Sequence, residues 1–145
     1  MIMAKYGTCE ECGQDTVVEL HHIISRKQLK ALEFCEHNFA YLCYNHHRHN
    51  ITGIHADRKL DHKYKLKFQN YLEMNFLNEY LTREEIKEVL NIKDKALDSI
   101  LKHLIQHKGK YAREETIRAI MGGRMITEDN KDELWTTISK RSTNT

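Results

Sequence analysis

Residues 19–50 read ELHHIISRKQLKALEFCEHNFAYLCYNHHRHN, and the interpretation of the whole chain depends on this stretch. Six of the chain's ten histidines lie in it, including the pairs His21-His22 and His46-His47. Two of the four cysteines also lie there, and a Cys-x-x-Cys motif stands just upstream. Packing alone rarely requires so many imidazoles and thiols close together, so the stretch predicts metal binding.

The thiols form the first group of candidate ligands. Cys9-x-x-Cys12 is followed farther along the chain by Cys43-x-x-His46. A tetrahedral Zn²⁺ takes four such ligands, and a closed shell of protein ligands leaves no position for a substrate, which predicts a structural zinc. In a small domain such an ion contributes to the folding free energy. Cys35 is an open question: it either replaces His46 as a ligand or packs as a small apolar side chain.

The other polar residues of the stretch suit hydrolytic chemistry. His21 and His22 are neighbours at the end of a predicted strand, so their side chains diverge, and one can ligate a metal while the other acts as a base. On a helix, His47 faces about 100° away from His46 and cannot bind the same ion. Asn38 can hold the basic imidazole through its other ring nitrogen. These features predict metal-assisted hydrolysis of a phosphodiester.

The other histidines have no comparable sequence context. Each is expected to be an ordinary solvated or hydrogen-bonded side chain: His37, His49, His55, His62, His103 and His107. Glu19 has two interpretations, as a partner of a metal-binding histidine or as a solvated strand residue.

The motifs Cys-x2-Cys, Glu-x-His-His-Ile and Asn-Phe-x-x-Leu-Cys-x2-His-His-Arg, within residues 9–50, resemble the phage-encoded HNH endonucleases of the ββα-metal (His-Me finger) type. The resemblance implies a small ββα-metal core with a structural zinc. It also implies hydrolysis of DNA with Mg²⁺, Mn²⁺ or a similar ion, a 5′-phosphate product and a bacterial host cell. By position, His21 and His47 match the ligands of the catalytic ion, His22 the general base and Asn38 the central asparagine.

Two positions depart from the family pattern. His46 stands where the second zinc knuckle usually ends in Cys, and Ile51 stands where some relatives have a further His. His49 or Asn50 could substitute for that missing ligand. Similar small proteins serve as homing, packaging-associated or restriction-like enzymes, and the sequence does not choose among these roles.

We expect an α+β chain, mostly α-helical, in three parts. These are a zinc-stabilised nuclease core over 1–56, a basic amphipathic linking helix over 57–80 and a helical region over 81–145. The predicted strands cover 16–20 and 39–43, and the predicted helices cover 43–51, 57–80, 83–90, 95–107, 113–121 and 128–140. Residues 25–34 are expected to form a short helix or a helical loop. Thr82 and Glu85 form a capping box at the start of one of them.

Residues 82–104 have the pattern of a helix-turn-helix, although a simple helical bundle explains the same amphipathic pattern. The lysine-rich helix that precedes them is either a solvated face or a phosphate-binding one. The predicted nucleic-acid contacts are Arg26, Lys27, Arg48, Lys59, Lys63, Lys67, Lys93, Lys95 and Lys102.

Composition limits the remaining possibilities. The net charge of +2 and pI near 8.3 permit DNA binding without requiring it. No apolar run approaches the roughly 20 residues that cross a bilayer, and the first residues lack a signal-peptide core, so the expected compartment is the cytoplasm. The expected function is a metal-dependent DNA endonuclease, as monomer or homodimer. The rivals are a non-catalytic zinc-containing DNA-binding protein that uses 82–104 and a zinc-stabilised interaction module.

Overall fold

The computed structural model describes residues 3–127, and the predicted helix at 128–140 with Trp135 lies outside them. The first part is an antiparallel sheet of three strands in sequential order: β1 (Ala4–Thr8), β2 (Asp15–His22) and β3 (Phe39–Cys43). A four-residue helix, α1 (Tyr44–His47), follows β3 directly. The register pairs Val18 with Cys43 and His22 with Phe39. Because side chains alternate along a strand, Glu19 and His21 share one face of β2 and His22 belongs to the other.

The long helix α2 (Arg58–Asn75) follows a loop and begins with a side-chain cap. The Asp57 carboxylate accepts hydrogen bonds from the backbone N–H groups of Lys59 and Leu60, which satisfies two donors of the first turn. The buried residues Leu60, Tyr64, Phe68 and Leu72 recur every four positions. This is the spacing that places side chains on one face of a helix, and it confirms the predicted amphipathic helix, which ends before position 80.

The last part combines three helices with a second small sheet. Its elements are β4 (Tyr80–Leu81), α3 (Arg83–Leu90), α4 (Asp94–Leu101), β5 (Gln106–His107), β6 (Lys110–Ala112) and α5 (Arg113–Ile120). The sheet is antiparallel in the order β4-β6-β5, with Leu81 paired to Tyr111. The predicted cap of α3 is confirmed, because the Thr82 hydroxyl accepts the N–H of Glu85 at 3.1 Å. Asn91 follows α3 in the left-handed conformation, with φ of 50°.

Residues 25–34 form a helical loop and not a regular helix, because they consist of turns and one short 3-10 segment (Lys30–Leu32). Other predicted elements were wrong. The predicted helix at 95–107 ends at Leu101, and its last residues belong to the β5–β6 hairpin. Strand β1 was not predicted, because its residues Ala4–Thr8 show no clear apolar alternation.

A single hydrophobic core joins the two sheets and the helices. Leu32, Leu42, Phe68 and Leu97 are all buried in it. Polar contacts reinforce the packing, since the Tyr71 hydroxyl donates to the Val89 carbonyl at 2.8 Å. Within residues 3–127, no helix has both the length and the apolar character needed to cross a lipid bilayer.

Candidate metal centres

The side chains of Cys9, Cys12, Cys43 and His46 converge, and their ligand atoms lie within 4.8 Å of one another. We call this group the cysteine cluster. The Cys12 and Cys43 sulfurs are 3.9 Å apart, and the Cys43 sulfur lies 3.2 Å from His46 Nδ1. Sulfurs bound tetrahedrally to zinc at about 2.3 Å are separated by roughly 3.8 Å. The donor set and its spacing therefore fit a structural metal such as zinc, as the sequence predicted.

Two turns of the backbone bring the four residues of the cysteine cluster together. Gly13, with φ of 72°, lets the chain reverse between β1 and β2, and its N–H donates to the Cys9 carbonyl at 2.9 Å. The second turn is the junction of β3 and α1, which carries Cys43 and His46. The zinc would thus join the β1–β2 turn to the β3–α1 junction.

The electrostatics of the thiols favour a bound cation. Burial raises the pKa of Cys9, but backbone hydrogen bonds from Cys43, Cys12 and Glu11 outweigh it and bring the pKa to about 6. Burial and the neighbouring sulfur of Cys9 raise the pKa of Cys43. Without a positive ion, a thiolate at Cys9 therefore disfavours ionisation of the Cys43 thiol. A divalent cation would remove this repulsion between the sulfurs.

Cys35 does not belong to the cysteine cluster. It is buried, and its thiol donates a hydrogen bond to the Leu90 carbonyl at 3.2 Å. Burial raises the pKa of this thiol. Cys35 is therefore a packing residue between the first part of the chain and α3, and His46 keeps its place in the ligand set.

A second group, which we call the histidine cluster, brings together His21, His47 and His55, whose ligand nitrogens also lie within 4.8 Å of one another. His47 Nε2 and His55 Nε2 are 3.2 Å apart. His21 Nε2 is buried and, within residues 3–127, has no hydrogen-bond partner.

The histidine cluster shifts the pKa of its own members. Burial is the main cause that lowers the pKa of His21 to about 3, and the neighbouring His55 and His47 lower it further. Burial also lowers the pKa of His47. Both rings are therefore neutral at physiological pH, the form in which imidazole binds metals.

His55 is the member that the sequence does not predict, because its local context is that of an ordinary solvated or hydrogen-bonded histidine. The loop after α1 folds back and places it beside His47. The alternative ligand His49 makes other contacts: its Nδ1 accepts hydrogen bonds from the N–H groups of Ile51 and Thr52, both at 3.2 Å. Asn50 is exposed on the same turn. Gly53 is the sequence signal for this fold-back of the loop, because a glycine in a short loop often marks a close backbone approach.

Glu19 supports the histidine cluster from the same face of β2. Its Oε1 lies 3.3 Å from His47 Nδ1 and 2.9 Å from Arg48 Nε. A carboxylate on the far nitrogen of a metal-binding histidine fixes the ring and its tautomer. Of the two interpretations of Glu19, the structure favours the partner role.

His22 and Asn38 lie close in space, but they are not paired. His22 Nε2 lies 2.9 Å from the Glu33 carbonyl oxygen. Asn38 is buried and binds backbone instead: its Oδ1 accepts the Ile24 N–H at 2.7 Å, and its Nδ2 donates to the Ile24 carbonyl at 3.0 Å and the Leu32 carbonyl at 3.4 Å. The expected bond from Asn38 to His22 was therefore wrong, because the Glu33 carbonyl takes that place. Asn38 acts on the loop that presents this carbonyl.

A cleft of about 630 Å³ opens over these residues. The histidine cluster and His22 both reach it, and its lining includes His21, His22, His47, His55, Arg26, Arg48, Asp61 and Lys65. Two predicted nucleic-acid contacts, Arg26 and Arg48, thus lie beside the histidines. Lys65, which was not predicted, adds a third cation and is paired with Asp61 at 2.9 Å.

The other predicted nucleic-acid contacts lie outside the cleft lining. Lys63 pairs with Glu11 at 2.9 Å and Lys67 with Glu10 at 3.9 Å, so both lie beside the cysteine cluster. Lys27 is exposed in the turns after β2, and Lys59 lies in the first turn of α2. The remaining three are exposed on the C-terminal helices and the turns that flank them: Lys93, Lys95 and Lys102.

Comparisons of the chain with protein-family models, with curated proteins and with solved structures return no match.

Proposed function

We propose that this protein is a metal-dependent DNA endonuclease of the ββα-metal type, with its active site in the histidine-lined cleft. The observation that carries the proposal is the convergence of three imidazoles on one point of a basic cleft that also contains a fourth histidine, His22. The order of elements supports it. His21 and His22 end β2, Asn38 precedes β3, and His47 ends α1.

His22 has the arrangement expected of a general base. A carbonyl oxygen only accepts hydrogen bonds, so the nitrogen that faces Glu33, Nε2, carries the proton. Nδ1 then keeps the lone pair that takes a proton from an attacking water. Asn38 contributes indirectly, because its bonds to Ile24 and Leu32 hold the loop that carries the Glu33 carbonyl.

The residues of the histidine cluster fit a catalytic ion with open coordination positions. When bound, such an ion would act as a Lewis acid on a phosphate oxygen. Divalent transition metals accept three imidazole ligands more readily than Mg²⁺ does, because Mg²⁺ prefers oxygen ligands. The family resemblance implies Mg²⁺, Mn²⁺ or a similar ion, and among these we therefore favour a transition metal such as Mn²⁺ over Mg²⁺.

The substrate preference follows from the charges in the cleft. Arg26, Arg48 and Lys65 line it, and cations of this kind neutralise the phosphates of a nucleic-acid backbone. Glu19 holds Arg48 in place, so this guanidinium is positioned to contact a phosphate beside the histidine cluster.

A plasmid-nicking assay tests the proposal, with supercoiled DNA incubated with Mn²⁺, Mg²⁺ or no added metal. We expect nicking by the wild-type protein with Mn²⁺ and a loss of about 10²- to 10⁴-fold in His22→Ala, the range for removal of a general base. His103→Ala is the matched control, because His103 is exposed and lies outside the cleft. Nicking that survives His22→Ala would contradict the mechanism.

The second candidate is a zinc-containing DNA-binding protein without catalysis. The observation that favours it is the α3–α4 pair, joined by a short turn at the left-handed Asn91, with exposed lysines around α4. DNA binding without nicking under every metal condition would support this candidate and overturn the endonuclease.

A further inference from the structure

The lysines of the C-terminal region differ from those of α2 in their partners. Three α2 lysines pair with carboxylates: Lys63 with Glu11, Lys65 with Asp61 and Lys67 with Glu10. In contrast, five exposed lysines of the C-terminal region form no ion pair with any residue of the described 3–127: Lys93, Lys95, Lys102, Lys108 and Lys110. A phosphate can bind these five without breaking an existing ion pair.

The acidic residues of α4 do not weaken this surface. Asp94 lies 3.0 Å from Lys87 and 3.3 Å from Arg83, and Asp98 forms an ion pair with Arg83. Both carboxylates are therefore neutralised by α3. Lys95 and Lys102 are seven residues apart, which places them on the same face of α4, away from buried Leu97 and Leu101.

A β-hairpin that carries two more of these lysines follows α4 in the chain. His107 pairs with Lys110, and the two turn residues Lys108 and Gly109 have φ of 53° and 80°. Positive φ at both positions describes the tight type I′ turn, so Lys108 lies at the tip of the hairpin. Four residues connect α4 to β5, and such a connection spans at most roughly 18 Å. Helix α4 and the tip of the hairpin are therefore close enough to contact DNA within one turn of the duplex, which is ~34 Å long.

We propose that α4 and the β5–β6 hairpin form a second DNA-binding surface, specific for duplex DNA and separate from the histidine-lined cleft. The major groove of B-DNA admits an α-helix or a two-stranded ribbon. This surface offers both, with lysines that form no ion pair among the described residues 3–127. The function extends beyond cleavage, because the surface would hold the duplex whether or not the cleft cuts it.

The test measures binding by fluorescence anisotropy of a labelled 30-base-pair duplex, with the His22→Ala protein to prevent cleavage. In this background we compare Lys102→Ala/Lys108→Ala with the control Lys5→Ala/Arg118→Ala, which removes two charges from β1 and α5. Each lost phosphate contact reduces the slope of log K against log salt by about 0.9. We expect a slope smaller by about 1.8 and at least tenfold weaker binding for the first variant, with little change for the control.

Two results would overturn the proposal. One is an equal effect of the test and control variants on the affinity for duplex DNA. The other is equally tight binding of a 30-base-pair RNA duplex, because the deep and narrow major groove of A-form RNA excludes a helix or ribbon. Neither result depends on the endonuclease activity, so the two proposals can fail separately.

Discussion

There is no room for a side chain at Gly53. A side chain there would displace the backbone of His47, which is a candidate metal ligand. A Cβ atom at this position would lie 2.6 Å from the His49 carbonyl oxygen and 2.7 Å from the His47 carbonyl oxygen. Both contacts are with backbone, which cannot rotate away as a side chain can. The close approach lets the loop return and place His55 beside His47.

We therefore expect Gly53→Ala to shift the His47 backbone. The strain should lower the free energy of unfolding by about 1–3 kcal/mol, measured by urea denaturation. The affinity of the histidine cluster for Co²⁺, followed by its visible absorbance, should fall as well. Gly7→Ala is the control, since a Cβ there would meet only the Val18 side chain at 3.4 Å and the Lys5 side chain at 4.0 Å. Equal stability of the two variants would contradict this explanation of Gly53.

At the scale of elements, Arg113 connects the second sheet to the end of α2. Its Nε donates to the Phe76 carbonyl and its Nη2 to the Glu73 carbonyl, both at 2.7 Å. The backbone N–H of Arg113 also donates to the Glu79 carbonyl at 2.9 Å. The guanidinium thus satisfies carbonyls that the helix terminus leaves without partners, and it fixes the base of the hairpin.

Replacement of Arg113 by Ala should cost about 1.5–3 kcal/mol of unfolding free energy, the range for hydrogen bonds from a charged group. Urea denaturation followed by circular dichroism provides the measurement. Arg118→Ala, an exposed site on the same helix, should change stability by less than about 0.5 kcal/mol. If the Arg113 variant were as stable as the Arg118 variant, the connection would not be structural.

Elements with local signals were predicted well, and elements that depend on distant partners were not. The four-residue stripe of α2 and the Thr82 cap of α3 are readable because the spacing of the stripe and the capping bond are both local patterns of the chain. At the β5–β6 hairpin the sequence predicts the end of a helix, since Lys108-Gly109 is also a common helix stop. The pairing of Leu81 with Tyr111 makes this segment a strand, and no local pattern reveals that pairing.

At the scale of the whole molecule, the cysteine cluster ties together segments that are far apart in sequence. The sulfur of Cys9 and His46 Nδ1 are 3.8 Å apart, although 37 positions separate these residues. A zinc ion there would hold the β1–β2 turn against α1, and thereby β2, the strand that carries His21 and His22.

We expect purified protein to contain about one zinc per chain and Cys12→Ser to lose it, together with a lower midpoint of thermal unfolding. Zinc content by mass spectrometry and a thermal scan provide the measurements. Cys35→Ala is the control within the same chain, because it removes a thiol outside the cysteine cluster. It should keep its zinc. Retention of zinc by Cys12→Ser, or its loss from Cys35→Ala, would contradict the ligand assignment.

The amino-acid sequence alone determined that the candidate metal ligands fall into two separate groups. Cys9-x-x-Cys12 and Cys43-x-x-His46 are local motifs whose spacing brings paired ligands together in a turn, and adjacent His46 and His47 must face different directions on a helix. The structure agrees with that division, since the two residues fall in different clusters.

Only the tertiary structure decided which other residues join these groups. His55 reaches His47 through a loop that depends on Gly53, and the Glu33 carbonyl takes the place beside His22 that Asn38 was expected to fill. The pairing of Lys63 with Glu11 likewise joins α2 to the β1–β2 turn. None of these contacts follows from a local periodic pattern, and a backbone carbonyl carries no side-chain signature that a sequence could display.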